Sequence, residues 1–168
     1  MPSSRRMLRG FLGALAILRE KTGTRLPIAT VVVHKVASAV KKLFPGIRRL
    51  HLVGSRLRHK YGRDLDFVAV VDDLADVPTR NILDITIGTL KVNLFAALPR
   101  EVEASILEFG LGADIMRWKR AAIRKGLKLN RYGLWKGERL VAYRMAEIAA
   151  ILGMPLKPEL VYTLENPL

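Results

Sequence analysis

Two apolar runs joined by a polar, glycine-led stretch constrain the fold of this chain more than any other feature. The first run, Leu50 to Val53, stops at Gly54, and the second begins with Asp64-Leu65-Asp66. Short apolar runs bounded by glycine and polar residues are typical of buried strands. The pattern of residues 50–71 therefore predicts a strand, a turn with a short helix, and a second strand that begins with two carboxylates.

The two carboxylates of this stretch predict a site for divalent cations. Because side chains alternate across a strand, Asp64 and Asp66 face the same side, with Cα atoms about 6.6 Å apart. Magnesium suits such a pair, since it uses few carboxylates and leaves positions for substrate phosphates. An Asp-x-Asp pair alone is also typical of ordinary strand-edge charges. The Gly-Ser pair whose serine lies nine residues before Asp64 favours the metal site.

The turn before the carboxylates predicts a phosphate-binding site. Gly54 has no Cβ, so a phosphate can approach its backbone closely. Ser55 offers a hydroxyl and can open a short helix whose N–H groups attract an anion. Arg58 follows about one helical turn later, so its side chain can project toward the same phosphates.

The charge of the chain favours a nucleic-acid partner. The 168 residues include 29 Lys and Arg against 15 Asp and Glu, a formal net charge of +14. Such an excess is typical of proteins that bind polyanions. The chain has no cysteine, which excludes disulfides, cysteine-based zinc sites and thiol catalysis. No apolar run approaches the roughly 20 residues of a membrane span, so we expect no membrane partner. Residues 1–24 predict a basic amphipathic helix rather than a signal peptide.

A second basic stretch lies between Asp114 and Glu138, where eight basic residues occur without a carboxylate. A helix there would place its arginines on one face and an apolar side, which includes Trp118 and Ile123, on the other. Such a face can neutralise successive phosphates of a nucleic acid, although composition alone equally allows a solvated basic surface. The eight residues are Arg117, Lys119, Arg120, Arg124, Lys125, Lys128, Arg131 and Lys136.

These two stretches together resemble the family X DNA polymerases. The pattern Gly54-Ser55, Arg58 and Asp64-Leu65-Asp66 is similar to the nucleotidyltransferase signature of that family. The run from Lys125 to Trp135 reads Lys-Gly-Leu-Lys-Leu-Asn-Arg-Tyr-Gly-Leu-Trp, and the family's thumb reads Lys-Gly-Leu-Lys-Leu-Asn-Glu-Tyr-Gly-Leu-Phe or similar. The resemblance covers about Arg25 to Leu160, which corresponds to palm and thumb only.

The resemblance implies an α+β fold, with a nucleotidyltransferase palm at 25–109 and a small helical and hairpin thumb at 110–168. The palm would have a mixed or antiparallel sheet with flanking helices. The implied activity is nucleotide addition to a primer 3′-hydroxyl by two-metal phosphoryl transfer, in short-gap filling during DNA repair. The implied partners are gapped or primer–template DNA, deoxynucleoside triphosphates and two Mg²⁺ ions, with Mn²⁺ as a substitute. We expect a monomer in the cytoplasm of a prokaryotic or viral system, not a secreted protein.

The resemblance also assigns roles to individual residues. Asp64, Asp66 and Asn93 occupy the catalytic and metal-binding positions. The triphosphate would be held by Gly54, Ser55, Arg58 and Gly110. The DNA would be bound by Arg117, Lys119, Arg120, Arg124, Lys128 and Tyr132. The turn Leu107-Glu108-Phe109-Gly110 matches the family's Tyr-Phe-Thr-Gly-like turn only at its glycine, which leaves sugar discrimination open.

The largest departure from the family is Asn93, where the family carries its third catalytic aspartate. Asn is neutral and cannot act as a general base. Three interpretations remain open: Asn93 was introduced to arrest turnover, it is natural and leaves a protein that binds without reacting, or Asp84 takes over. A predicted hairpin with Gly88-Thr89 at its turn would place Asp84 opposite Asn93 on the same face. The alternative functions are an inactive nucleotide- or nucleic-acid-binding protein on this fold, or a nucleotidyltransferase acting on RNA or protein.

Overall fold

The computed structural model describes residues 28–59, 64–77, 83–87 and 90–168, with only the backbone described for 83–87 and 90. The helix predicted within residues 1–24 lies outside these ranges, as does the side chain of Asp84. None of the helices in the described ranges has the length and apolar character needed to span a membrane.

The chain adopts the predicted α+β fold, with helices and strands interleaved along the sequence. The helices in the described ranges are α1 Thr30–Leu43, α2 Ser55–Arg58, α3 Val102–Gly110, α4 Ile115–Arg124, α5 Met145–Leu152 and α6 Pro158–Glu165. The strands are β1 Ile47–Val53, β2 Asp64–Val71, β3 Leu83–Ile87, β4 Leu90–Ala97, β5 Lys128–Asn130, β6 Gly133–Lys136 and β7 Arg139–Ala142.

The first sheet is mixed and has the strand order β1-β2-β4-β3. Strand β2 is antiparallel to β1 and parallel to β4, and β4 is antiparallel to β3. The predicted hairpin between β3 and β4 is confirmed, and its backbone register pairs Asp84 with Asn93. The parallel register pairs Asp66 with Asn93 and Asp64 with Lys91. Two strands distant in sequence therefore meet at the acidic pair.

Strand β2 is buried on both faces over most of its length. Leu65 and Phe67 belong to one apolar cluster with Val36 and Val40 of α1, which lie four residues apart and so share a helix face. The alternate positions Val68 and Val70 belong to a second cluster on the opposite face. At the start of β2 the second face opens, so that Asp64 and Asp66 are only half-buried there.

The second cluster joins the sheet to the C-terminal part of the chain. Trp118 of α4, Leu134 of β6 and Ile148 of α5 pack in the same cluster as Val68 and Val70. Strands β5, β6 and β7 form a separate antiparallel three-stranded sheet. The predicted domain boundary at residues 109 and 110 falls within the last turn of α3, and one apolar cluster extends across it.

Helix α4 differs from the prediction at one apolar residue. Trp118 and its apolar neighbours Ala121 and Ala122 are buried, as predicted, but Ile123 is 70% exposed. The assignment of Ile123 to the apolar side is therefore wrong. Ile123 lies seven residues after Met116, which is 51% exposed, and residues seven apart share a helix face. That face points to solvent.

Candidate active site

Gly54 brings the turn after β1 against Asp66. Its φ of 73° and ψ of −165° lie in a region that essentially only glycine adopts. Its N–H donates to the carbonyl of Phe109, with an N···O distance of 2.9 Å. A Cβ at Gly54 would lie 2.1 Å from Oδ2 of Asp66. Both its conformation and this close approach therefore require glycine.

Arg58 lies along the C-terminal end of α3. The short helix α2, which begins at Ser55 as predicted, directs its last residue toward this end. Nη1 of Arg58 donates to the carbonyl of Gly110 over 2.8 Å, and a Cβ at Gly112 would lie 2.8 Å from Cζ of Arg58. The last carbonyls of a helix lack intrahelical partners and attract cations. The absence of a side chain at Gly112 therefore leaves room for the guanidinium.

Asp64, Asp66 and Asn93 share one face of the sheet. Nδ2 of Asn93 donates to Oδ1 of Asp66 over 2.6 Å. A carboxylate only accepts hydrogen bonds, so the amide of Asn93 presents its nitrogen rather than its oxygen to Asp66. Lys91, two residues before Asn93, pairs with Asp64 in the parallel register and lies on the same face because side chains alternate. A cation and an amide thus flank the acidic pair.

The donor set fits magnesium through its two carboxylates. Mg²⁺ is commonly bound by one or two carboxylates together with substrate phosphates and water, which Asp64 and Asp66 can provide on one face. Within residues 28–59, 64–77 and 91–168, no three His, Cys, Asp or Glu side chains form a metal-binding group. Asn93 would have to turn its amide to offer an oxygen ligand.

The end of α3 is packed against β4 and the β5–β6 turn by aromatic and cationic contacts. The rings of Phe95 and Phe109 stack with centroids 3.8 Å apart and planes inclined by 13°. The guanidinium carbon of Arg131 lies 5.4 Å from the Phe109 ring centroid and 5.3 Å from that of Tyr132. Nη2 of Arg131 donates to the carbonyl of Ala96 over 2.6 Å. Strand β4, helix α3 and the β5–β6 turn therefore meet at Arg131.

The residues predicted to bind DNA divide into two groups. Two of them are half-buried and contact other side chains: Nζ of Lys119 lies 2.7 Å from Oε1 of Glu108, and Tyr132 lies under the Arg131 guanidinium. Four are exposed on α4 and at the start of β5, and these are Arg117, Arg120, Arg124 and Lys128.

Gly110, predicted to contact the nucleotide, is buried between helices. A Cβ there would lie 2.6 Å from Cδ2 of Leu160 on α6, so glycine allows the two helices to approach. Its carbonyl is bonded to Arg58. Sequence reasoning assigned no role at the site to Lys91, Gly112 or Arg131. The parallel β2–β4 register, which places Lys91, and the contacts of the other two residues have no local sequence signal.

A carboxylate moderates the positive charge around Arg58. Asp114, just before α4, pairs with Nζ of Lys157. The pKa of Asp114 is lowered, mainly by the hydrogen bond from Lys157 and by its charge, and further by the charges of Arg117 and Arg58. Asp114 therefore stays ionised near neutral pH and partly balances the charges around it.

No protein-family model matches the chain, and no curated protein matches it. Among solved structures, the chain is similar to polymerase beta from Leishmania infantum in a ternary P/T complex. The TM-score is 0.62 at 16% sequence identity, and the match covers 95% of this chain and 82% of that chain. The fold is thus similar to that of polymerase beta.

Proposed function

We propose that this chain is a DNA nucleotidyltransferase, a small polymerase resembling family X that extends a primer 3′-hydroxyl in short DNA gaps. One observation carries the proposal: Asp66 lies between the Gly54 turn and Asn93, with Asp64 on the same face. This arrangement brings the carboxylates next to the turn that we propose to bind the triphosphate. The polymerase beta-like fold supports the same proposed function.

The turn and Arg58 would hold the triphosphate. Ser55 offers a hydroxyl at the start of α2, and Gly54 allows this turn to lie against the Asp66 carboxylate. Arg58 uses Nη1 for the carbonyl of Gly110, but a guanidinium has five N–H donors. The bond to Gly110 would therefore orient the side chain and leave donors for phosphate oxygens.

In the proposed reaction, the primer 3′-oxygen attacks the α-phosphorus of the incoming nucleotide. A new O–P bond forms, the bond between the α-phosphorus and the bridging oxygen breaks, and pyrophosphate leaves. Asp64 and Asp66 would bind Mg²⁺, as two ions, or Mn²⁺ in its place. When bound, these ions supply charge neutralisation and activation of the attacking oxygen. The 3′-hydroxyl must also lose a proton. Asn93 cannot accept it, so in the proposed step it would pass to solvent water.

The DNA partner is proposed from the exposed arginines of α4. Arg117, Arg120 and Arg124 are exposed, next to a half-buried Lys119. Cations on one helix face can contact successive phosphates independently of base sequence. The similar polymerase beta was solved as a P/T complex, which supports gapped or primer–template DNA as the ligand. We propose deoxynucleoside triphosphates as the second substrate and a monomer as the active form.

A second candidate function is nucleotide or DNA binding without turnover. The hydrogen bond from Asn93 to Asp66 favours it, because the third polar group of the site is a neutral donor. General-base assistance is typically worth about 10²–10⁴-fold in rate. A chain without that assistance could still bind both ligands.

The deciding experiment is single-nucleotide insertion into a one-nucleotide DNA gap, with Mg²⁺ or Mn²⁺, by this chain and by Asn93→Asp. Incorporation by Asn93→Asp alone identifies a disarmed polymerase. Comparable turnover by both chains identifies an active enzyme, and Asp84→Asn then tests for the missing carboxylate. Asp66→Asn is the negative control in either case. If neither chain incorporates or binds a deoxynucleotide, the proposal fails; incorporation only with RNA or protein acceptors identifies a different nucleotidyltransferase.

A further inference from the structure

Two consecutive carbonyls at the end of α3 hold both ends of the Gly54–Arg58 turn. The carbonyl of Phe109 accepts the N–H of Gly54 over 2.9 Å. The next carbonyl, of Gly110, accepts Nη1 of Arg58 over 2.8 Å. These are among the last carbonyls of the helix and have no intrahelical partner. The position of the turn therefore follows the position of this helix end.

The end of α3 is itself held through the Phe109 side chain. One contact of its ring is the stack on Phe95, which lies two residues after Asn93 on the same face of β4. Another is the guanidinium of Arg131. A cation over an aromatic ring is attracted by the ring's quadrupole, more strongly when both are partly buried. Phe109 thus connects the carboxylate edge of the sheet to the turn.

Arg131 contacts two other elements, β4 and α3, from one position in the β5–β6 turn. Its side chain donates to the carbonyl of Ala96 at the end of β4 and lies over the rings of Phe109 and Tyr132. Its own carbonyl accepts the hydroxyl of Ser105 on α3 over 2.9 Å. The residue is therefore fixed at both its backbone and its guanidinium.

Arg131 combines these favourable contacts with one unfavourable feature. Its Nε is buried and has no hydrogen-bond partner in the part of the chain that the structure describes. A buried donor without a partner is unfavourable, and an aliphatic side chain would remove that cost. The guanidinium contributes contacts to β4 and Phe109 that an aliphatic chain cannot replace.

We infer that Arg131 is a positioning residue that sets the Gly54–Arg58 turn against the Asp66 edge by fixing Phe109. The inference about nucleotide binding rests on the proposed function, whereas the inference about the turn does not. Arg131 would touch neither the nucleotide nor the reacting atoms. Its effect passes through the Phe109 carbonyl to the Gly54 N–H.

The test is amide hydrogen exchange of the unliganded protein by NMR, comparing the full chain with Arg131→Met, Arg131→Lys and the control Arg139→Gln. Arg139 is exposed on β7 and loses the same charge. The Gly54 amide is expected to exchange roughly tenfold faster in Arg131→Met. This factor corresponds to the free energy of one partly desolvated cation–π contact, which the variant loses. Arg131→Lys, which keeps a cation, should recover part of the protection, and Arg139→Gln should leave it unchanged.

Two outcomes would overturn the inference about the turn. One is unchanged protection of the Gly54 amide in Arg131→Met. The other is an equal acceleration at the central amides of β2, which would mean general loosening of the fold. Deoxynucleotide titration in the presence of Mg²⁺ then tests the functional part: Arg131→Met should weaken binding roughly tenfold if the turn holds the triphosphate. Unchanged affinity in a loosened turn would refute that part, and no binding by the full chain would refute the proposed function alone.

Discussion

Nδ2 of Asn93 lies 2.6 Å from Oδ1 of Asp66, across two parallel strands that are paired at these residues. The contact is a charge-assisted hydrogen bond, which is stronger than a neutral one. An aspartate at position 93 would instead repel Asp66, because it would add a third carboxylate at this edge of the sheet. Asn93, a neutral amide that cannot act as a base, therefore stabilises this edge of the sheet in the absence of a cation.

Replacing Asn93 by Asp should make the fold depend on divalent cations. Without them, Asn93→Asp is expected to lower the free energy of unfolding by about 1–3 kcal/mol, because a donor becomes a like charge beside Asp66. Added Mg²⁺ should restore part of this loss, as seen in thermal unfolding with and without the ion. Asn166→Asp, at an exposed amide, is the control and should show no such response. An Mg²⁺ effect that is equal in both variants would contradict the prediction.

Gly54→Ala should be far more damaging than the same change at Gly126. Both glycines have positive φ, 73° and 70°, but a Cβ at Gly54 meets Oδ2 of Asp66 while a Cβ at Gly126 meets nothing within 4 Å. We expect a loss of about 3 kcal/mol at Gly54 against about 1 kcal/mol at Gly126, where only backbone strain applies. Urea denaturation measures both, and equal losses would show that Asp66 moves freely.

Gly112→Ala should change the behaviour of Arg58 more than the stability of the fold. Gly112 and Gly137 have φ values of 61° and 60°, but only at Gly112 would a Cβ meet a neighbour, the Arg58 guanidinium. The end of a long side chain can move aside, so both alanine variants should lose about 1 kcal/mol of stability. Only Gly112→Ala should weaken deoxynucleotide binding. Equal nucleotide affinity in the two variants would argue against a phosphate-binding role for Arg58.

The basic residues of α4 should separate into DNA contacts and a structural ion pair. Arg120→Gln and Arg124→Gln remove exposed charges, so each should lower the slope of log affinity against log salt by about 1. Lys119→Gln should instead destabilise the fold by about 1–3 kcal/mol, since it leaves the half-buried Glu108 carboxylate without its cation. Salt titration of DNA binding and thermal unfolding distinguish the two effects. A salt slope that is unchanged in both arginine variants would exclude this face from the interface.

His51 should make the fold less stable in acid. It is 1% exposed, its Nδ1 is bonded to the carbonyl of Thr163, and its Nε2 has no partner among the described residues. Burial lowers its pKa, against the opposing effect of the Thr163 hydrogen bond, and the charge of Arg49 lowers it further. The unfolded chain therefore binds this proton more readily than the folded chain.

The stability that neutral His51 contributes is complete above its unfolded pKa of about 6.5 and is lost as pH falls below that value. The free energy of unfolding should drop by up to about 1.4 kcal/mol per pH unit there. Urea denaturation between pH 7.5 and 5 measures the slope. His51→Gln should reduce it, whereas His34→Gln, at an exposed position, should not. Equal slopes in both variants would assign the acid sensitivity to other groups.

Local sequence periodicity was sufficient to predict the strands around the candidate site. Alternation along β2 predicted that Asp64 and Asp66 share a face opposite Leu65, and the burial of Leu65 confirms the alternation. The predicted two-residue turn between β3 and β4 implied a register that pairs Asp84 with Asn93, and the structure has this register. The prediction failed at Ile123, because composition cannot decide which face of α4 packs against the core. The roles assigned to the site residues remain predictions.

The amino-acid sequence by itself determined the glycine turn between two strands and the common face of the two carboxylates, because these follow from short-range periodicity and backbone sterics. The α+β class came from the resemblance of its motifs to a known family. Only the tertiary structure decided that β2 pairs in parallel with β4, that Asn93 donates to Asp66, and that the end of α3 binds the Gly54 turn. These contacts join residues from 27 positions apart to more than 50 apart. Their geometry depends on how whole elements pack, and no local pattern encodes that packing.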